Sequence, residues 1–306
     1  MFTPTVQNEQ MPRHVLAILN QPSAAAPPHE PGAAPFAFAD PATPHLSVLD
    51  LGATRGDGIF ESISVGDGRA QALEHHLRRF AASAARLDLP SPDLDLWREA
   101  ILASIAELAP GAESWVKTVL TRGVEGDGRP TGWVYAAHTA DYSAVRTSGL
   151  RVVTLDRGYR HDVERTSPWL LAGAKTLSYA VNRAVLREAH NRDADDVIFV
   201  SSDGFVLEGP TSSVVFRIGG RLLTPGTGLG ILEGTTQANV FRYAESLGIE
   251  TGFDLVTPDR LQTADAVWLV SSVRLAAPVH AIDGRRYAID AEFTAGLNAH
   301  LLALRD

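Results

Sequence analysis

The chain has 306 residues, enough for one large domain or two of about 150 residues, and its 45% apolar and 21% charged composition is that of an ordinary soluble globular protein. A formal charge of −9 supplies no basic field for nucleic acid, and the absence of cysteine excludes disulfides, thiol catalysis and cysteine-ligated zinc. No apolar run reaches the ~18 residues of a membrane span, and Met1 to Gln10 lacks a secretory pattern, so a cytoplasmic protein without nucleic-acid or membrane partners is expected.

In chain order, HVLAIL at 14–19 reads as a short opening strand. From Pro22 to Pro44 the chain holds seven prolines and many alanines, which predicts a mobile surface excursion free of helix and sheet. The alternating run IFESISV and the segment RAQAL flank Gly66-Asp67-Gly68, a hairpin signal. Apolar residues at helical spacing (Leu77, Phe80, Ala81, Ala84, Leu87) make HHLRRFAASAARLDL a helix. DLDLWREAILASIAEL is a second, with Ser91 and Asp93 as its start signals and Pro110-Gly111 as its stop. Strands WVKTVLTRG and GWVYAAHTA follow, joined by the Gly-rich VEGDGRPT.

The polar, aperiodic stretch near Ser143–Gly149 suggests a division into an N-terminal α/β domain over 1–143, a linker over 144–149 and a C-terminal domain over 150–306. In the second half the patterns predict a strand at 150–155, an irregular stretch to Gly173 and a helix from about Thr176 to His190. A hairpin follows on Ser202-Asp203-Gly204, then the strand pair TSSVVFRI and RLLTP. A helix over 235–247 stopped by Gly248, the strand AVWLVSS and a last helix near 290–304 close the chain. Strands followed by helices in each half give a mixed α/β fold of two domains.

Of the 27 lysines and arginines, only Lys117 and Lys175 are lysines. An amine can lose its proton and a guanidinium cannot, so a lysine retained among so many arginines marks a place where amine chemistry is wanted. Free lysine is only about 0.04% neutral at pH 7, so a reactive one needs desolvation or a neighbouring cation. Lys175 follows the apolar run WLLAGA, which suits such a site, although a lysine at a helix start is the plainer reading. Glu208 near a strand end could serve a pyridinium nitrogen or simply reach water. The Gly-rich GTGLGILEGTTQ runs into a helix at Thr235 and Thr236, a geometry that offers N–H groups and hydroxyls to a phosphate. Adjacent His75 and His76 cannot converge on one ion, so no metal site is expected.

The segments RGDGIFES, HLRRF, VKTVLTRG, AKTLSYAVNRAVLREA, VIFVSSDGFVLEGPTSSVVF, GILEGTTQ and SSVRLAAPVHAIDG run in order from about Asp50 to Gly284. Together they resemble the class IV aminotransferases, the fold-type IV pyridoxal 5'-phosphate enzymes, whose site lies between two domains of a homodimer. The resemblance implies that Lys175 is the Schiff-base lysine and Glu208 the partner of the pyridine nitrogen. It also implies Arg79 at the cofactor phosphate with Thr235, Thr236 and Ser272 beside it, and Tyr179 near the 3′-oxygen. The excursion at 22–44 departs from the family's closely spaced opening strands.

Within the family, RGDGIFES and Lys117 in VKTVLTRG favour 4-amino-4-deoxychorismate lyase. Its small-molecule substrate carries two carboxylates, for which Lys117, Arg129, Arg55 and Arg122 are the candidate cations, Lys117 and Arg129 foremost. The lyase would release 4-aminobenzoate and pyruvate for folate synthesis. A D-amino-acid aminotransferase is the alternative, although the Arg-x-His pair expected after TRG is replaced by VEGDGRPTGW. A branched-chain enzyme and an inactive binding paralogue stand further off, the latter because it would need neither Lys175 nor Glu208.

Overall fold

A computed structural model describes residues 13–110 and 113–304, so the expectations placed on Met1–Gln10 and on Gly111 lie outside the described residues. The first half forms six strands: β1 (His14–Leu19), β2 (Phe36–Ala39), β3 (Gly58–Gly66), β4 (Arg69–Ala70), β5 (Ser114–Thr121) and β6 (Thr131–His138). They pair antiparallel in the order β2-β1-β6-β5-β3-β4. The β3–β4 hairpin turns on Asp67 and Gly68, both at positive φ (49° and 70°), which matches the right-handed twist of the flanking strands.

A short helix α1 (Leu51–Arg55) precedes β3, and α2 (Leu73–Arg86) and α3 (Leu94–Ala106) cover one face of the sheet. Asp93 caps α3 by accepting from the amides of Asp95 and Leu96. Strand alternation sends Ile59, Ile63 and Val65 of β3 into the core with Leu77, Phe80, Trp97 and Ile101. The same alternation turns Phe60 and Ser62 to the opposite face, beside Trp115 and Lys117 of β5. Truncating Leu77 to alanine in this core would cost about 2–5 kcal/mol.

The second half builds an eight-stranded mixed sheet from β7 (Leu150–Asp156), β8 (Asp196–Val200), β9 (Ser213–Ile218), β10 (Arg221–Pro225), β11 (Thr251–Asp254), β12 (Ala266–Ser271), β13 (Leu275–Ile282) and β14 (Arg285–Arg286). Its order is β11-β10-β9-β12-β13-β7-β8, with β14 paired to β13. Between the strands run α4 (Ser143–Ser148), α5 (Val163–Thr166), α6 (Ala180–Asn191), α7 (Thr235–Ser246) and α8 (Pro258–Leu261), and α9 (Ala291–Ala303) ends the described chain. Val240 and Phe241 of α7 and Phe293 and Leu297 of α9 pack on Trp268 and Val215.

Three details differ from the sequence reading. The Pro/Ala-rich excursion holds a strand, β2, whose Phe36–Ala39 pairs with Leu16–Leu19 and covers the edge of β1. The excursion is tied down elsewhere too: Trp97 Nε1 donates to the Pro22 carbonyl at 2.9 Å, and His29 Nε2 lies 2.8 Å from that of Pro130. The polar stretch at 143–149 is largely helical, and Arg146 of α4 forks onto Glu113 with two 2.6 Å contacts while its Nε donates to the Arg274 carbonyl. One side chain thus joins the entrance of β5 to the entrance of β13. Finally, the helix expected from Thr176 begins at Ala180, because Thr176 bridges Ile59 and Leu177 N donates to Gly58 O.

Candidate active site

The segment that bears Lys175 is laid against β3 as a short irregular strand. The Lys175 carbonyl accepts from Phe60 N at 3.0 Å, and its amide donates to Ser83 Oγ at 3.2 Å. Gly58 permits the approach, since a Cβ there would meet the Leu120 carbonyl at 2.7 Å and Leu177 at 2.8 Å. Lys175 therefore projects into a cleft of about 660 Å³ between the two sheets. Also lining it are Arg79, Lys117, Tyr179, Glu208, Thr235, Thr236 and Ser272.

Glu208 arrives by the hairpin on Ser202-Asp203-Gly204, where Phe199 N donates to the Glu208 carbonyl and Leu207 N to that of Phe199. Its Oε2 accepts from Leu232 N at 3.2 Å. Burial raises this carboxyl to about 7, against the opposing pull of that amide and of Lys175. Lys175 moves the other way. Burial and then the Arg79 charge lower its amine to about 8, with Glu61 and Glu208 opposing. Near neutrality the cleft thus offers an amine and a carboxyl both poised to exchange protons. Tyr179 donates its hydroxyl to the Pro210 carbonyl at 2.9 Å, and burial pushes it up to about 12, so it stays protonated.

At one end of the cleft the hydroxyls of Thr235, Thr236 and Ser272 gather, Ser272 lying 3.5 and 3.4 Å from the other two. They sit at the N-terminus of α7, whose N-cap Gly234 supplies no side-chain cap. A Cβ at Gly234 would lie 2.3 Å from Ser213 Oγ, so the close approach requires glycine. Arg79 closes this cup. Its Nε and Nη2 fork onto Glu61 at 2.7 Å each and its Nη1 donates to the Glu233 carbonyl.

Two further residues belong to the cup: Glu61, absent from the expectations above, and His76, weighed there only as a metal ligand. Glu61 is 1% exposed and His76 2% exposed, and His76 Nδ1 lies 2.7 Å from Glu61 Oε2. Burial alone would push the Glu61 carboxyl up, but Arg79 and His76 hold it well below the usual range. The signal was present in IFESISV: position 61 shares a face with Ile59, Ile63 and Val65, and a carboxylate there must be paired. Phe60 and Trp115 also line the cleft.

Of the four substrate cations expected, Lys117 alone reaches this cleft within the chain. Its Nζ stands 4.9 Å from the centroid of the Phe60 ring and makes no hydrogen bond or ion pair among the described residues, and burial lowers the proton affinity of the amine. Arg122 is already spent on structure: it forks onto Asp57 (2.6 and 3.2 Å) and donates to the carbonyls of Leu87 and Asp88. Arg129 pairs with Asp127 within the β5–β6 connection, and Arg55 is exposed at the end of α1. Arg55 and Arg122 line a separate cavity of about 1050 Å³ with Asp57, Asp88 and Glu125. In their place Arg183 and Arg274, neither foreseen, line the cleft.

A family model for amino-transferase class IV matches residues 58–282, which span both sheets and the cleft. The chain belongs to that family. A bifunctional aminodeoxychorismate lyase / D-amino acid transaminase of Mycobacterium tuberculosis is 45% identical over 256 residues, 80% of this chain and 89% of that protein. Among solved structures, the fold IV-transaminase CpuTA1 of Curtobacterium pusillum superposes with a TM-score of 0.91 at 55% identity, covering 95% of this chain and 98% of its own. The PLP-bound form of a hypothetical aminotransferase from M. tuberculosis does so with 0.82 at 43% identity, covering 87% and 96%. As a class IV aminotransferase the chain is an enzyme of a pyridoxal-phosphate-dependent family with the mixed α/β, two-sheet fold of fold-type IV transaminases. The donor set fits that cofactor: an amine of lowered proton affinity, a buried carboxyl, and a cup of hydroxyls at a helix N-terminus closed by a guanidinium.

Proposed function

We propose that this class IV enzyme is a 4-amino-4-deoxychorismate lyase that eliminates pyruvate and leaves 4-aminobenzoate, with pyridoxal 5'-phosphate held by Lys175. The observation that carries the reading is Lys117, a desolvated cation without a carboxylate partner among the described residues, standing with Lys175 at the Phe60 ring. A substrate with two carboxylates needs such a charge beyond those that hold the cofactor. The lyase named among the relatives supports the same substrate class.

In this reading Arg79, Thr235, Thr236 and Ser272 would hold the phosphate, and Glu208 would serve the pyridine nitrogen. The bound cofactor supplies an electron sink for charge left on the substrate carbon that bears nitrogen. Lys175 removes the proton from that carbon and returns a proton to the departing enolpyruvyl group, so no water is consumed. Glu208 keeps the ring nitrogen protonated throughout. Lys117 holds a substrate carboxylate and orients the leaving group. Tyr179, fixed by Pro210, and Phe60 wall the cleft against water.

We further place the enzyme in the cytoplasm as a homodimer, divided near 144–149 into two domains. The exposed Trp169 (73%), Leu170 (55%) and Val181 (52%), on either side of Lys175 in sequence, support a partner subunit over that face. Incubation of cofactor-loaded protein with 4-amino-4-deoxychorismate should release 4-aminobenzoate and pyruvate in equal amounts, and Lys175→Ala should release neither. Turnover of D-alanine with 2-oxoglutarate alone would replace the lyase by a D-amino-acid aminotransferase, the second activity in the name of the bifunctional relative.

A further inference from the structure

The cup contains a buried charge relay whose proton count does not match a phosphate. Arg79 and Glu61 form a forked ion pair, so their charges cancel. His76 completes the relay: Nδ1 meets Glu61 Oε2 at 2.7 Å, while Nε2 lies 3.2 Å from Thr235 Oγ1 and 3.3 Å from Ser272 Oγ. All of these groups are withdrawn from bulk water except at the cleft itself. A phosphate ester carries −1.5 to −2 charges near pH 7. With a neutral imidazole, Arg79, Glu61 and His76 together offer it no net charge.

The two hydroxyls sharpen the mismatch. A neutral imidazole that donates from Nδ1 to Glu61 has a bare Nε2, which accepts from Thr235 or Ser272. That hydroxyl then has its proton turned away from an incoming anion. Once Nε2 is protonated the direction reverses: Nε2–H donates to a hydroxyl oxygen, and the hydroxyl proton is released towards the phosphate. The same proton raises the charge of the triad to +1.

We propose that His76 is a proton-coupled positioning residue for the cofactor phosphate, neutral in the cofactor-free protein and taking up one proton as the phosphate dianion enters. The inference rests on the reading of Arg79, Thr235, Thr236 and Ser272 as the phosphate cup. The groups that face His76 are Glu61 from β3, Arg79 from its own helix, Lys175 from the segment before α6, Thr235 from α7 and Ser272 from the β12–β13 connection. Glu61 alone favours the imidazolium. Burial, Arg79 and Lys175 oppose it and hold the ring below the ordinary histidine range until an anion arrives.

The test uses pyridoxine 5′-phosphate, which carries the phosphate but no aldehyde, so that Lys175 is not engaged. Protein labelled with nitrogen-15 in its ten histidines is titrated with it at pH 7.5, where the phosphate is mostly dianionic. One ring is expected to pass from a single protonated nitrogen to two at saturation, and that signal to be absent in His76→Asn. Calorimetry in buffers of different ionisation enthalpy should show the wild type taking up about one proton more than the variant. Between pH 7.5 and 8.5 the dissociation constant of the wild type should rise by about tenfold more than that of the variant. Should His76→Asn not fold, His76→Gln serves the same comparison, and the wild-type spectrum stands alone. Saturable binding with every ring unchanged overturns the proton coupling and keeps the cup. Failure to bind removes the phosphate cup and this inference with it.

Discussion

Lys117 and Lys175, the chain's only two lysines, converge on one aromatic ring, their Nζ atoms 4.9 and 4.4 Å from the centroid of Phe60. They come from different elements, one from the middle of β5 and the other from the segment laid against β3. Two ammonium groups sharing an apolar wall are harder to protonate than either alone, because each loses water and each repels the other. Arginine could not replace either one without ending this arrangement, since a guanidinium stays charged.

Cofactor attachment should report the Lys175 amine directly. Its free form predominates above about 8, so the rate at which cofactor-free protein acquires pyridoxal phosphate should climb with pH and level off beyond that value. Lys117→Met removes a nearby positive charge and should move the midpoint upward. Stopped-flow absorbance across pH 6–10 checks both; an unchanged midpoint in the variant would disconnect the two lysines.

The raised carboxyl of Glu208 has a stability signature in the cofactor-free protein. A carboxyl at about 7 when folded and 4.5 when unfolded contributes stability that is present below 4.5 and lost as pH rises to about 7. Glu208→Gln cannot ionise, so the cofactor-free variant should melt higher than the wild type at pH 8, and the two should converge near pH 4.5. With cofactor and substrate the order reverses for activity, and turnover should fall by about 100-fold or more.

Arg79→Lys keeps the charge of the cup and loses its fork. Glu61 and the Glu233 carbonyl then lose charge-assisted hydrogen bonds, each worth about 1.5–3 kcal/mol. Pyridoxal phosphate should bind about 10- to 100-fold more weakly by dialysis, with kcat at saturation much less affected.

Arg122 sets the contrast. Since it clamps Asp57 and the end of α2, Arg122→Ala should lower Tm by about 2–4 °C and leave KM within about twofold. Lys117→Met should do the opposite, raising KM for a dicarboxylate substrate by about tenfold or more with Tm little changed.

Much of the fold was legible because its signals are local. Asp67-Gly68, Asp93 and Gly248 announce a hairpin, a helix start and a helix stop by backbone chemistry alone. The strand at Phe36–Ala39 was hidden because its prolines flank it instead of interrupting it, and because pairing with β1 cannot be read locally. The late start of α6 has the same cause, since Thr176 answers to Ile59, more than a hundred residues earlier. In the candidate site, Lys117 and Arg122 stand five residues apart, so alternation puts them on opposite faces without saying which turns inward; the contact of Arg122 with Asp57 decides it and is tertiary. Glu61, and the part His76 plays beside it, went unread because the pairing that permits a buried carboxylate is tertiary.

The most direct measurement is a side-by-side rate comparison on one cofactor-loaded preparation. Elimination from 4-amino-4-deoxychorismate is followed by 4-aminobenzoate and pyruvate together, and transamination by D-alanine consumed against 2-oxoglutarate. Equal amounts of the two elimination products are expected, with a kcat/KM above that for D-alanine and loss of both reactions in Lys175→Ala. Transamination without any 4-aminobenzoate would contradict the lyase reading.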